Sequence, residues 1–367
     1  MKKIVSIIFL IILNSSPRFI YIQQVEAGQF SILNSQSLRP IRDNVGFCWN
    51  AGEMNSLMNY LSKNAGTQNF SSKNLIAGIS VHDDYLYAGK VYYPLYKLIK
   101  TKEVVIFGVT HGTVKKEMGN LSNVLILDEF DKWQGPYNDV AISPLRELIK
   151  SKLPKDDFIV SNKAHTIEHS IEALIPFLQY YNRDIKITPI MVTQMSFGKM
   201  DSVSARLSQI ITEYIRKNKL ELGKDIFFLI SNDADHYGED FSNSPYGMDS
   251  NAHKLATDND RRILHTFLDG MIGPSSIENL TKEIWPSNNK EKVIPLWCGR
   301  YPIAFGLLTI TKVVNELKAG TLRAKLFKYS DTFTEKVLPV KNTSMGITAV
   351  FSYKHWCGWF TDGIYLK

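Results

Sequence analysis

LIAGISVHDD (residues 75–84) runs from Leu75 to Val81 without a charge and then delivers His82, Asp83 and Asp84 together. An unbroken apolar run of this length fits a strand buried on both faces, as in parallel sheets covered by helices. The same grammar recurs in VVIFGVT (104–110), which ends in His111-Gly112, and in DIFFLISN (225–232), which ends in Asp233-Ala234-Asp235-His236-Tyr237. NVLILD (123–128) and KITPIMV (186–192) read as further strands, and MGITAVFSY (345–353) as a strand near the end of the chain. Helical spacing falls between these runs, in the stretch holding Met54, Leu57, Met58 and Leu61, then at 142–153, 165–181 with a kink at Pro176, 202–218, 253–269 and 302–318. Strand–helix alternation over most of the chain predicts an α/β fold, a single domain with a mixed sheet flanked by helices.

In open α/β sheets the ligand site lies beyond the carboxyl ends of the strands. Three strands here carry His or Asp to that edge. WCGRYP (297–302) adds Cys298, just before a predicted helix start where the positive end of the dipole favours a thiolate. Two imidazoles and a thiolate suit zinc, copper or iron, and a nearby Asp and His suit proton transfer. Taken one at a time, each residue has a plainer role: a loop His, a turn-capping Asp, a buried thiol.

HTIEH (165–169) matches the H-x-x-E-H string of one zinc-peptidase class, in which two His bind zinc and the Glu acts as base. On a helical wheel Ile167, Ile171, Leu174, Ile175 and Leu178 form an apolar stripe. His165, His169 and Glu172 fall opposite it, with Glu168 between. The polar face of this helix is expected to border the cleft, with His169 the better placed of the two His.

The chain has 367 residues, 44% hydrophobic and 22% charged, enough for a full core. Its formal charge of +7 includes Lys2, Lys3 and Arg18 near the start, and no Lys/Arg block is dense enough for a nucleic-acid surface. MKKIVSIIFLIIL has the physics of a secretory signal, two Lys followed by a short apolar run from Ile4 to Leu13. Residues 1–27 are therefore expected to be a signal peptide or N-terminal anchor and 28–367 the α/β domain. The product would be exported, periplasmic or secreted, or held at a membrane by that segment alone. The odd set Cys48, Cys298 and Cys357 allows at most one disulfide, so the core rather than cross-links holds the fold.

The motifs AGISVHDDYLYAG (77–89), IFGVTHG (106–112), AHTIEHSIEALIPFLQY (164–180), ISNDADHYG (230–238) and CGRYPIAFGLL (298–308) resemble, in order and spacing, the MEMO family. In bacteria that family is called AmmeMemoRadiSam system protein B. The resemblance runs from RPIRDNVGF near residue 39 to ITAVFSY near 353. It implies a fold similar to LigB-type, class III non-haem extradiol dioxygenases. It also implies a divalent or redox-active ion (iron, copper or zinc) held by His82, His111 and Cys298. Asp233 and His236 would be the catalytic groups beside it, with His169, Glu168 and Arg300 lining the cleft. Where the family commonly reads P-H-A-G-Y this chain reads VHDDY, so Asp83 and Asp84 replace small residues next to a proposed ligand. The dioxygenases use a carboxylate as third ligand where Cys298 stands here. The expected function is redox chemistry on a small molecule at this site. The alternatives are a non-catalytic protein binding a small-molecule or peptide ligand, and an HxxEH-type zinc peptidase.

Overall fold

Four parallel strands form the centre of the sheet, in the spatial order Lys186–Val192, Glu103–Gly108, Ile226–Ser231, Leu75–Ser80. Because they run in the same direction, their carboxyl ends share one edge, and His82, His111 and Asp233 follow from three of them. This computed structural model describes residues 37–66, 68–289 and 292–367. The apolar run Ile4–Leu13, with its export or anchoring reading, lies outside the described residues. Among the described residues no helix is long and apolar enough to cross a membrane.

Beyond the central strands the sheet turns antiparallel. His355–Leu366 pairs with Leu75–Ser80, and Leu322–Asp331 pairs in turn with His355–Leu366. The sheet is thus mixed, as expected. Its two faces are covered separately, because side chains alternate along a strand. Val105 and Phe107 join one core with Leu207 and Ile211 of helix Phe197–Asn218 and with Ile303 and Leu307 of helix Arg300–Leu317. Val104 and Ile106 join the other with Leu57, Tyr85, Leu95 and Phe177, which come from helices Ala51–Asn64, Tyr85–Tyr96 and Ile175–Tyr181. All three cysteines are free.

Two expectations need correction. Residues 165–181 do not form one kinked helix. A short helix Asn162–Ile167 stops, residues 168–171 are irregular, and a new helix starts at Ile175 with Pro176 in its first turn. The break has a side-chain cause: the Glu168 carboxylate accepts the N–H groups of His169 and Ser170, both at 2.9 Å, in place of helical pairing. MGITAVFSY is not a strand; the last long strand is His355–Leu366, and Ile347 and Val350 are exposed.

A small strand, His236–Gly238, pairs antiparallel with 355–357 and carries His236 to the site edge. Gly238 has φ 119°, and a Cβ there would overlap the carbonyl oxygen of Lys354. Gly238→Ala is expected to cost about 1–3 kcal/mol through backbone strain alone, read as a lowered urea midpoint. An unchanged midpoint would show that this pairing yields freely.

Candidate metal centre

His82 follows strand Leu75–Ser80 and is buried, with 1% of its surface exposed. Its Nδ1 lies 2.7 Å from Ser231 Oγ. That hydroxyl donates its only proton to the carbonyl oxygen of Ser170, 2.7 Å away. Ser231 Oγ can therefore only accept from His82, which fixes Nδ1–H and puts the lone pair on Nε2, the nitrogen that faces Cys298 and Asp233. His111 reaches the same state by another route. Its Nδ1 is 2.8 Å from Glu168 Oε1, and its backbone N–H donates to Glu168 Oε2 at 3.0 Å. Burial opposes charge on Glu168, but His111, His169 and these N–H donors outweigh it and hold the carboxyl well below the usual carboxylate range.

Glu168 reaches His111 because Gly108 ends the intervening strand. A Cβ at Gly108 would overlap Ile171, so only glycine lets the 168–171 segment lie against the strand. The Ser170 hydroxyl then accepts from the N–H of Val109 at 2.9 Å. Arg39, whose exposure is 2%, fixes the segment from behind by donating to the carbonyls of His165 at 2.9 Å and Glu168 at 2.8 Å and by pairing with buried Glu172.

Cys298 Sγ lies 3.4 Å from His82 Nε2 and accepts from the N–H of Asp233 at 3.1 Å. Burial, and then the Asp233 carboxyl, push its thiol well above the ordinary range. Burial thus works against the thiolate expected at the helix start, and a bound cation would favour it. Asp233 Oδ1 accepts from the N–H of His82 at 2.9 Å, and Oδ2 sits 3.2 Å from His82 Nε2. Burial and then Asp83 raise Asp233 well above the carboxylate range, while burial and then His111 lower His82. Burial thus disfavours charge on both partners of this contact. His236 directs Nδ1 toward the carbonyl of Ala234 at 3.2 Å, and burial lowers its basicity. His169 stacks on His111, ring centres 4.8 Å apart, and burial followed by His111 lowers it to about 4.

The expected ligands thus converge from segments far apart in the chain. His82, His111 and Cys298 offer donor atoms all within 4.8 Å of one another. Two further sets satisfy the same condition: His111, Glu168 and His169, and Asp233, His236 and Cys298. In both, the carboxylate is already engaged by N–H donors, so the first set has the donors best directed to a shared point. Arg300 lies on the wall of a small cavity that also includes Cys298.

The peptidase string is dismantled. His165 is buried, its Nε2 is 3.0 Å from the carbonyl of Ile126, and its ring meets Trp133 edge-on. It belongs to no donor set among the described residues. Glu172, placed on the polar face by the wheel, is fully buried against Arg39. The added acids at 83 and 84 stay outside the donor sets as well. Asp83 accepts from Trp359 Nε1 at 2.8 Å, and Asp84 accepts from the Thr348 hydroxyl at 2.5 Å, with burial and then Asp83 raising Asp84 to about 7. Ser231 carries no signal in the sequence beyond its position at the end of a strand that delivers Asp233, whereas Ser170 closes the Glu168–Ser170 run that the family resemblance places along the cleft.

A family profile described as Memo-like protein matches residues 47–340. The chain belongs to the Memo family. Among its relatives is a MEMO1 family protein of Pyrococcus furiosus, 25% identical over 274 residues that span 72% of this chain and 82% of the relative. One from Thermococcus kodakarensis is 27% identical over 276 residues, again 72% and 82% of the two chains. A third, from Aquifex aeolicus, is 31% identical over 189 residues, 50% of this chain and 62% of the relative. In this Memo-family chain the matched segment includes all three members of the first donor set.

Proposed function

We propose that this protein binds one iron, copper or zinc ion through His82 Nε2, His111 Nε2 and Cys298 Sγ, and uses the cleft around it for redox chemistry on a small molecule. One observation carries the reading: both imidazoles have their Nδ1 tied back, to Ser231 and to Glu168, while donor atoms of the two rings and of Cys298 lie within 4.8 Å of one another. Outer hydrogen bonds of this kind fix the tautomer and orientation of a metal-binding His. A thiolate with two imidazoles is a donor set suited to these metals rather than to calcium or magnesium. When bound, a redox-active ion would supply one-electron capacity at this point of the cleft.

The residues around it have separable roles. His236, neutral and anchored at Nδ1, would accept a proton at Nε2 from a bound substrate. Asp233, held protonated by burial, would donate one or orient His82. His169 and Glu168 shape the wall, Glu168 acting through His111. The neutral Asp233–His82 contact favours a second reading, a ligand-binding role without turnover, because it occupies the Nε2 face. Ligand binding that survives chelation would support that reading.

Cobalt(II) titration under anaerobic conditions tests the ligand set. A sulfur-to-cobalt charge-transfer band is expected for the unaltered protein, lost in Cys298→Ser and kept in His169→Ala. A missing band in the unaltered protein would remove Cys298 from the set.

A further inference from the structure

Behind Cys298, between helices Gly112–Met118 and Arg300–Leu317, lies a cavity of about 40 Å³. Two cations, Lys115 and Arg300, stand on its wall with Thr110 and Gln194. Cations this close are ordinarily neutralised by a carboxylate. Here, among the described residues, neither has an acidic side chain within ion-pair distance, and the partner of Arg300 is neutral, the side chain of Tyr301, which it hydrogen-bonds. Burial and then Arg300 hold the Lys115 ammonium below its usual range, as expected for like charges with no anion between them. A water centre needs about 10–15 Å³, so the space takes a group of only a few heavy atoms. The amide of Gln194 and the hydroxyl of Thr110 add neutral hydrogen-bonding groups to the two positive ones.

We infer that Lys115 and Arg300 form a receiving site for the carboxylate of a small-molecule ligand, whose remaining part then extends past Cys298 toward His82 and His111. A planar carboxylate suits the space, and a guanidinium fork binds it at two points. The inference rests on the proposed metal cleft only in taking that cleft as the place where the rest of the ligand lies.

The test uses full-length, metal-free protein and two probes of equal size, benzoate and uncharged benzamide, titrated calorimetrically. Benzoate is expected to bind at least about tenfold more tightly, the scale of one charge-assisted contact. Arg300→Gln and Lys115→Gln are each expected to erase most of that preference while leaving the melting temperature at the unaltered protein's value. Equal binding of the two probes would overturn the carboxylate site, as would a preference that survives in both variants. Inorganic phosphate competing as strongly as benzoate would overturn the assignment to a carboxylate. Because binding is read without metal, a failed metal centre would leave these outcomes legible.

Discussion

Arg39→Met is expected to cost about 3–5 kcal/mol of stability, the range for leaving one member of a buried ion pair uncompensated. Arg39 and Glu172 expose 2% and 1% of their side chains. Glu172 also accepts from the N–H groups of Arg42 at 3.0 Å and Asp43 at 2.8 Å, so it cannot turn to solvent without unmaking the loop before helix Ala51–Asn64. Burial outweighs Arg39 in setting the Glu172 acidity, and its carboxyl is already raised with the partner in place. Without the guanidinium it would protonate or stay buried and charged, and both are costly. The carbonyls of His165 and Glu168 would lose donors in the same step. Arg39→Met/Glu172→Leu removes the stranded charge and is expected to recover part of the loss. Lys163→Met breaks the exposed pair with Glu117 and is expected to change stability by less than about 1 kcal/mol. Urea unfolding of the set checks the order; a single variant no worse than the double would show that Glu172 finds other compensation.

This pair also explains what the sequence concealed. Arg39 and Glu172 lie far apart in the chain, and nothing in their local pattern marks a buried contact. The apolar spacing from Ile167 to Leu178 reads as one helix, and on that helix Glu172 falls on the polar face opposite the apolar stripe. The Glu168 carboxylate stops the helix by taking backbone N–H groups, a tertiary event fixed by His111 and by the bare Gly108. The central strands were legible because burial on both faces removes polar residues from the run. The strand His355–Leu366 was not, because HWCGWFTDGIYL mixes Gly, Asp and Trp, and its Asp362 is buried. The apolar residues of 345–353 looked more strand-like, yet among the described residues the segment's ladder pairing is a single bridge, Ser352 to His355. His82, His111 and Cys298 were legible together because strand ends and a helix start bring them to one edge. The outer partner of His82, Ser231, was silent, since a serine at a strand end carries no pattern of its own.

Deleting a donor is expected to have the largest effect on ligation. Loss of an outer partner typically lowers metal affinity about 10–100-fold, and loss of an imidazole or the sulfur itself should exceed that. His82→Ala also releases Ser231 and the Asp233 acid from their contacts, and His111→Ala leaves Glu168 with backbone donors only. His165→Ala is the informative control, because that ring faces Ile126 and Trp133 rather than the cleft. His82→Ala, His111→Ala and Cys298→Ser, set against His165→Ala, therefore separate a centre built at the strand ends from one built on the HTIEH string.

Elemental analysis of protein purified anaerobically, set against these variants, decides the matter. The expected result is about one transition-metal ion per chain in the unaltered protein and in His165→Ala, falling to background in His82→Ala, His111→Ala and Cys298→Ser. Metal retained by all three of those variants, or lost on changing His165, would contradict a centre formed by His82, His111 and Cys298.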